Sequence, residues 1–153
     1  MKIMGAALVA SWLVIGGLVY LFFFKGSVAP ASDGRTAIML SQGEKDFVLT
    51  EMRGFLNAVQ QIIEGLDEKD MKKVAQSAHA VGMAAMREAP GPLMRKLPMG
   101  FKQMGHPLHQ AFDDLAQEAE DMGDRGKVLE KLSGLMNNCV ACHSTYRLDV
   151  EHK

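Results

Sequence analysis

From Glu44 onward, apolar residues recur every three to four positions, the period of a helix with one buried face. Val48, Met52, Phe55, Leu56, Val59, Ile62, Ile63 and Leu66 form a first stripe, which Gly65 and Asp67 close. Over 68–87 a second stripe carries Met71, Val74, Ala78, Val81 and Ala85, and Ala89-Pro90-Gly91-Pro92 stops it. A third, over 98–122, carries Phe101, Met104, Leu108, Phe112, Leu115 and Ala119, with Pro107 predicting a kink or a later start. After a turn at 123–126, a fourth runs to Arg147 through Val128, Leu132, Leu135, Cys139, Cys142, His143 and Tyr146. No strand-like alternation of useful length is present, and two of the three connections are short. The expected fold class is all-α: an antiparallel four-helix bundle over residues 44–153.

Residues 3–24 break this pattern, being uncharged and apolar apart from Gly5, Ser11, Gly16 and Gly17. A bilayer core of about 30 Å needs roughly 20 helical residues, whereas a secretory signal has an apolar region of about 7–15. Residues 1–24 are therefore expected to form a single N-terminal transmembrane helix, the anchor. Ala29-Pro30-Ala31 offers the alternative of a cleaved signal, with release at Ser32. Residues 25–43, rich in Ser, Ala, Gly and Pro until Ile38, read as a tether with a mobile first half.

Composition removes some functions. The 17 basic and 18 acidic residues leave a net charge of −1, so no single-sign field is available for nucleic acid. Outside the N-terminal run the aromatics are Phe47, Phe55, Phe101, Phe112 and Tyr146. A core so poor in rings is built from Leu, Val, Ala and Met, or completed by a group the chain does not encode. No acid/base pair, nucleophile or phosphate loop appears, so the chain is not expected to be an enzyme.

The chemistry lies in Cys139-Val140-Ala141-Cys142-His143, C-x-x-C-H. Two thiols at this spacing can add to the two vinyl groups of a haem while the adjacent imidazole reaches its iron. Cys139 and His143, four residues apart on a helix, project from one side. A redox C-x-x-C belongs with a βαβ unit, and a zinc site normally draws its fourth ligand from a second such pair; the chain shows neither.

This block, continued by Ser144-Thr145-Tyr146-Arg147 near the end of the last of four helices, resembles the class II c-type cytochromes, the cytochrome c′ group and its low-spin relatives. The resemblance spans about residues 44–148. It implies one covalent haem c at one end of the bundle, with His143 as the fifth iron ligand. Arg147 matches the family's basic residue one turn beyond that histidine, near the haem, and Tyr146 is expected under the porphyrin edge. The family takes its sixth-side residue from the start of the first helix, where this chain has Met52 beside Arg53 on the inward stripe. Helix arithmetic agrees: Met52 lies roughly 21 Å, and His143 roughly 26 Å, from the same end of the bundle. Met83, Met86, Met99, Met104, His106 and His109 share the haem end and remain open as rivals, and methionine is also a routine core filler. His79 and His152 read as surface histidines.

Two charge runs complete the pattern. Arg87, Arg95, Lys96 and Lys102 surround the second connection, opposed by Glu88, while Asp113, Asp114, Glu118, Glu120, Asp121 and Asp124 run the other way. They read as a solvated surface or as a dipole presenting the haem end to acidic partners. The expectation is a monohaem cytochrome transferring single electrons between redox proteins such as a quinol-oxidising complex, an oxidase or a dehydrogenase. Its placement would be single-pass in a bacterial inner membrane, with the haem domain in the periplasm. A gas-binding protein with an open sixth site, a haem subunit of a respiratory complex and a homodimer remain as alternatives.

Overall fold

The computed structural model describes residues 2–121 and 123–151, with backbone alone for residues 2–4, 6, 7, 22 and 23. Met1, Met122, His152 and Lys153, which the expectations above include, lie outside the described residues.

Helix α2 (Gln42–Glu68) starts at a capping box: the Glu44 N–H donates to Ser41 Oγ (3.4 Å), and the Ser41 N–H to the Glu44 carboxylate (2.8 Å). It ends where Lys69 turns left-handed at φ 63°. Asp70 caps α3 (Met71–His79) by accepting from the Lys73 N–H. The single helix expected over 68–87 instead breaks after His79 into α4 (Met83–Met86), followed by α5 (Gly91–Lys96). The break has a polar cause. Asp113 of α6 (Met99–Asp121) accepts from the Met83 N–H (2.9 Å) and lies 3.0 Å from His79 Nδ1, and its carboxylate fills the space a Cβ at Gly82 would need. Helix α6 continues through Pro107, and α7 (Arg125–Thr145) starts on an Asp124 cap.

Helices α2, α3, α6 and α7 pack in that order as a row of neighbours around Phe55, Ile62, Val74, Phe112, Leu115, Val128 and Leu132. Gly123, between α6 and α7, lies against Met71 at the start of α3, so both hairpins close at the same end. The first and last members of the row, α2 and α7, hardly touch.

The all-α expectation fails in the segment read as a tether. Strand β1 (Val28–Pro30) pairs antiparallel with β2 (Thr36–Leu40), and β2 pairs parallel with β3 (Tyr146–Val150), joining residues 110 apart in the chain at Thr36↔Tyr146. Ala37, Ile38 and Leu40 are buried, as a central strand requires, and Ile38 and Leu40 form a second core with Val48 of α2 and Leu93 and Leu97 around α5. The mobile tether is thus an ordered ribbon, and the fold is helical with a three-stranded sheet.

The transmembrane expectation is corrected as well. The apolar run is divided between α1 (Lys2–Val19), of 18 residues, and a π-helical turn (Tyr20–Lys25) that ends at Gly26, φ 67°. Among the described residues no helix is long and apolar enough to cross a membrane. The single-pass span, and with it the inner-membrane placement with a periplasmic domain, is therefore not supported.

Candidate functional site

The gap between α2 and α7 is a cavity of about 700 Å³, within the range of about 300–1,000 Å³ usual for cofactor pockets. Val48, Met52, Phe55 and Val59 of α2 form one wall, and Met136, Cys139, Cys142 and His143 of α7 the opposite one. Leu93 and Met94 of α5 and Phe101, Met104 and Leu108 of α6 close the back. The walls are largely apolar, with Glu51, Arg53, Lys102, His106 and His109 as the ionisable side chains besides the motif.

Position along α7 explains why the motif faces this space. The helix buries Val128, Leu132 and Leu135 in its first half, one stripe against the bundle core. Continuing at three- to four-residue steps, the same stripe reaches Cys139, Cys142 and His143, which line the cavity. Both thiols are free and half-buried, and burial pushes each above the ordinary thiol range, with the neighbouring Cys139 adding to the effect at Cys142.

Met52 sits where the two cores meet, in contact with both. It lies 16 residues before the end of α2, roughly 24 Å, and His143 lies 18 residues after the start of α7, roughly 27 Å, from the common end. The two face each other at one level. Of the rivals, Met86, Met104, His106 and His109 line the cavity, whereas Met83 and Met99 are not among its lining residues.

His109 is the most constrained of these. Its imidazole is 7% exposed, packs 5.0 Å from the Phe55 ring and lies 2.8 Å from the Val81 carbonyl through Nδ1. A carbonyl only accepts, so Nδ1 donates to it. His109 lies 12 residues before the end of α6, roughly 18 Å, about two turns deeper than His143. Glu51, half-buried in the same wall as Met52, is pushed up by burial, an effect His109 opposes and Glu88 reinforces.

Tyr146 and Arg147 are placed elsewhere. Tyr146 packs edge-on against Phe101 (5.6 Å, 77°), with its hydroxyl over Gly100. Arg147 pairs with Asp149 (2.9 Å) and Asp33 (3.3 Å) on the sheet. Neither is among the residues lining the cavity. The basic cluster is partly neutralised too, since Lys96 pairs with Glu44 (2.7 Å) and Glu151 (2.9 Å). The α5 wall escaped the sequence reading, although Leu93, Met94 and Leu97 already repeat at helical spacing behind Pro92.

Two thiols and an imidazole on one wall, a thioether opposite and apolar surfaces between them fit a flat, largely apolar macrocycle carrying a metal. Among the described residues, no three His, Cys, Asp or Glu side chains are grouped to hold a bare metal ion. No known family model, curated protein or solved structure matches the chain.

Proposed function

We propose that this chain is a monohaem c-type cytochrome that carries single electrons between redox proteins. The observation that carries the reading is the C-x-x-C-H wall of α7 facing Met52 across an apolar cavity at one level of the fold. Cys139 and Cys142 would each add S–H across one vinyl group, sulfur to one carbon and hydrogen to the next, with no oxidant consumed. Bound haem supplies an iron that cycles between ferric and ferrous states. His143 of α7 and Met52 of α2 would be the residues to hold that iron, and an imidazole–thioether pair would favour a higher potential than two imidazoles. Leu93, Phe101 and Leu108 exclude water from the back of the cavity.

The test is to express the full chain with haem-attachment machinery and record oxidised and reduced spectra with and without carbon monoxide. A low-spin spectrum indifferent to carbon monoxide, converted by Met52→Ala to a form that binds it, supports the carrier and assigns the ligand. A high-spin spectrum that shifts with carbon monoxide makes gas binding the function. Absence of covalent haem overturns the reading.

A further inference from the structure

The ribbon that replaces the expected tether reaches the haem-attachment motif itself. The last carbonyls of a helix lack intrahelical donors and need partners from elsewhere. At the end of α7, the Ala141 carbonyl accepts from the hydroxyls of Ser144 (2.9 Å) and Thr145 (2.8 Å), and the Cys142 carbonyl from the Tyr146 N–H. The His143 carbonyl is served from the other end of the chain: Arg35 Nη1 donates to it (3.2 Å) and to the Tyr146 carbonyl (3.3 Å).

Arg35 does not wander into this position. Its Nε and Nη2 both donate to Asp33 Oδ2 (3.0 and 2.7 Å), and the same carboxylate takes Arg147 Nη1 (3.3 Å). Arg35 also stands one residue before Thr36, where β2 begins its parallel pairing with Tyr146. The guanidinium is thus fixed on two sides by the ribbon and clasps, on the third, the peptide of the residue read above as the iron ligand. A helix end held this way cannot turn about its axis without breaking the clasp, and a turn of α7 is what would re-aim the His143 ring.

We infer that Arg35 is a positioning residue for His143, with Asp33 as its brace, so that the ribbon sets both the aim of the imidazole and the potential of the site. The inference rests on the cytochrome reading of His143. A cation near the site disfavours the more positive, oxidised iron, and an anion favours it. Arg35 and Asp33 are each about one-third exposed, so screening leaves a modest effect.

The test uses the full, haem-loaded chain and reads the reduction potential by spectroscopic titration and the ligand-field signature by electron paramagnetic resonance. Arg35→Gln is expected to favour the oxidised form roughly threefold to tenfold, a fall of about 30–60 mV for a one-electron couple, and to broaden the resonance. Asp33→Asn frees the guanidinium while removing a negative charge, so the potential is expected to rise although the resonance broadens in the same way. Arg35→Lys is expected to restore the potential without restoring the narrow signal. Opposite potential shifts with a shared broadening cannot come from loosened folding, which would move both variants alike. Unchanged spectra in both Arg35→Gln and Asp33→Asn, or full rescue of the signature by lysine, overturn the inference. Wild-type chain without covalent haem instead overturns the reading it rests on, and Asp33→Asn keeps the test open if Arg35→Gln does not fold.

Discussion

Phe55 joins the core to the cavity, and its removal should damage both. The side chain is 7% exposed, with its ring 5.4 Å from Phe112 at an interplanar angle of 13° and 5.0 Å from His109. Truncating a buried Phe to Ala costs about 3–5 kcal/mol, and each aromatic contact accounts for about 0.5–1.5 kcal/mol. Because Phe55 borders an existing cavity, little new void is created, so Phe55→Ala should fall near the lower end, about 3 kcal/mol. Phe55→Leu keeps most of the apolar contact and should cost about half as much. Urea unfolding followed by circular dichroism would show it: at a slope of about 2 kcal/mol per molar, the alanine midpoint should fall by about 1.5 M. A loss under about 1 kcal/mol with an unchanged slope would mean that the ring stack does not hold α2 to α6.

Gly65→Ala should destabilise despite alanine's better helix propensity, because the added Cβ would lie 2.9 Å from Val74 Cγ2 and 3.1 Å from the Asp70 carbonyl; a loss of about 1–3 kcal/mol is expected in thermal unfolding, and a gain would refute the contact. Acid should weaken the fold by a signed route: hydrogen bonds from Arg35 hold Asp33 at about 2, while Glu44 and Asp113 are lowered by Lys96, Ser41, Met83 and His79 despite burial that raises them. All three carboxyls are depressed in the folded state, so their contribution is present above the ordinary carboxylate range and is lost as pH falls from about 4.5 towards 2; equal stability at pH 5 and pH 3 would contradict it.

The helical part of the fold was legible because its signal is local. Phe55, Ile62, Val74, Ala78, Phe112, Leu115, Val128 and Leu132 are buried as their stripes predicted, whereas Leu56 and Ile63 of the first stripe are exposed. The motif was legible for a different reason: Cys139, Cys142 and His143 need only one helix to be brought together. The ribbon was harder because its partners are remote. Strand β2 is ordered by β3 from the far end of the chain, and Leu40 is buried by α5 and α2. Two local cues did exist: Asp33-Gly34 between short apolar segments, with Gly34 at φ 84°, and Ser41 three residues before Glu44. The break after His79 had no such cue, since it depends on Asp113 arriving from α6. The pairing of Arg147 was hidden for the same kind of reason, as its partner Asp33 belongs to the segment taken for a tether.

Helix α7 carries two different kinds of support, and that division yields a last prediction. Its first half is held by Val128, Leu132 and Leu135, all buried, whereas in its second half Val140 is 70% exposed and the thiols and His143 face the cavity. Arg35 and the β2–β3 ladder hold only the far end. In a Cys139→Ser, Cys142→Ser chain, which cannot attach haem through thioethers, the helix should open locally between these two supports without global unfolding. Amides of residues 138–142 are then expected to exchange roughly tenfold or more faster than those of 129–135, and haem attachment in the wild-type chain should erase the difference. Equal protection along α7 in the serine variant would mean that contacts with α6 alone hold the whole helix. The cavity would then be a rigid, preformed site rather than one completed by its cofactor.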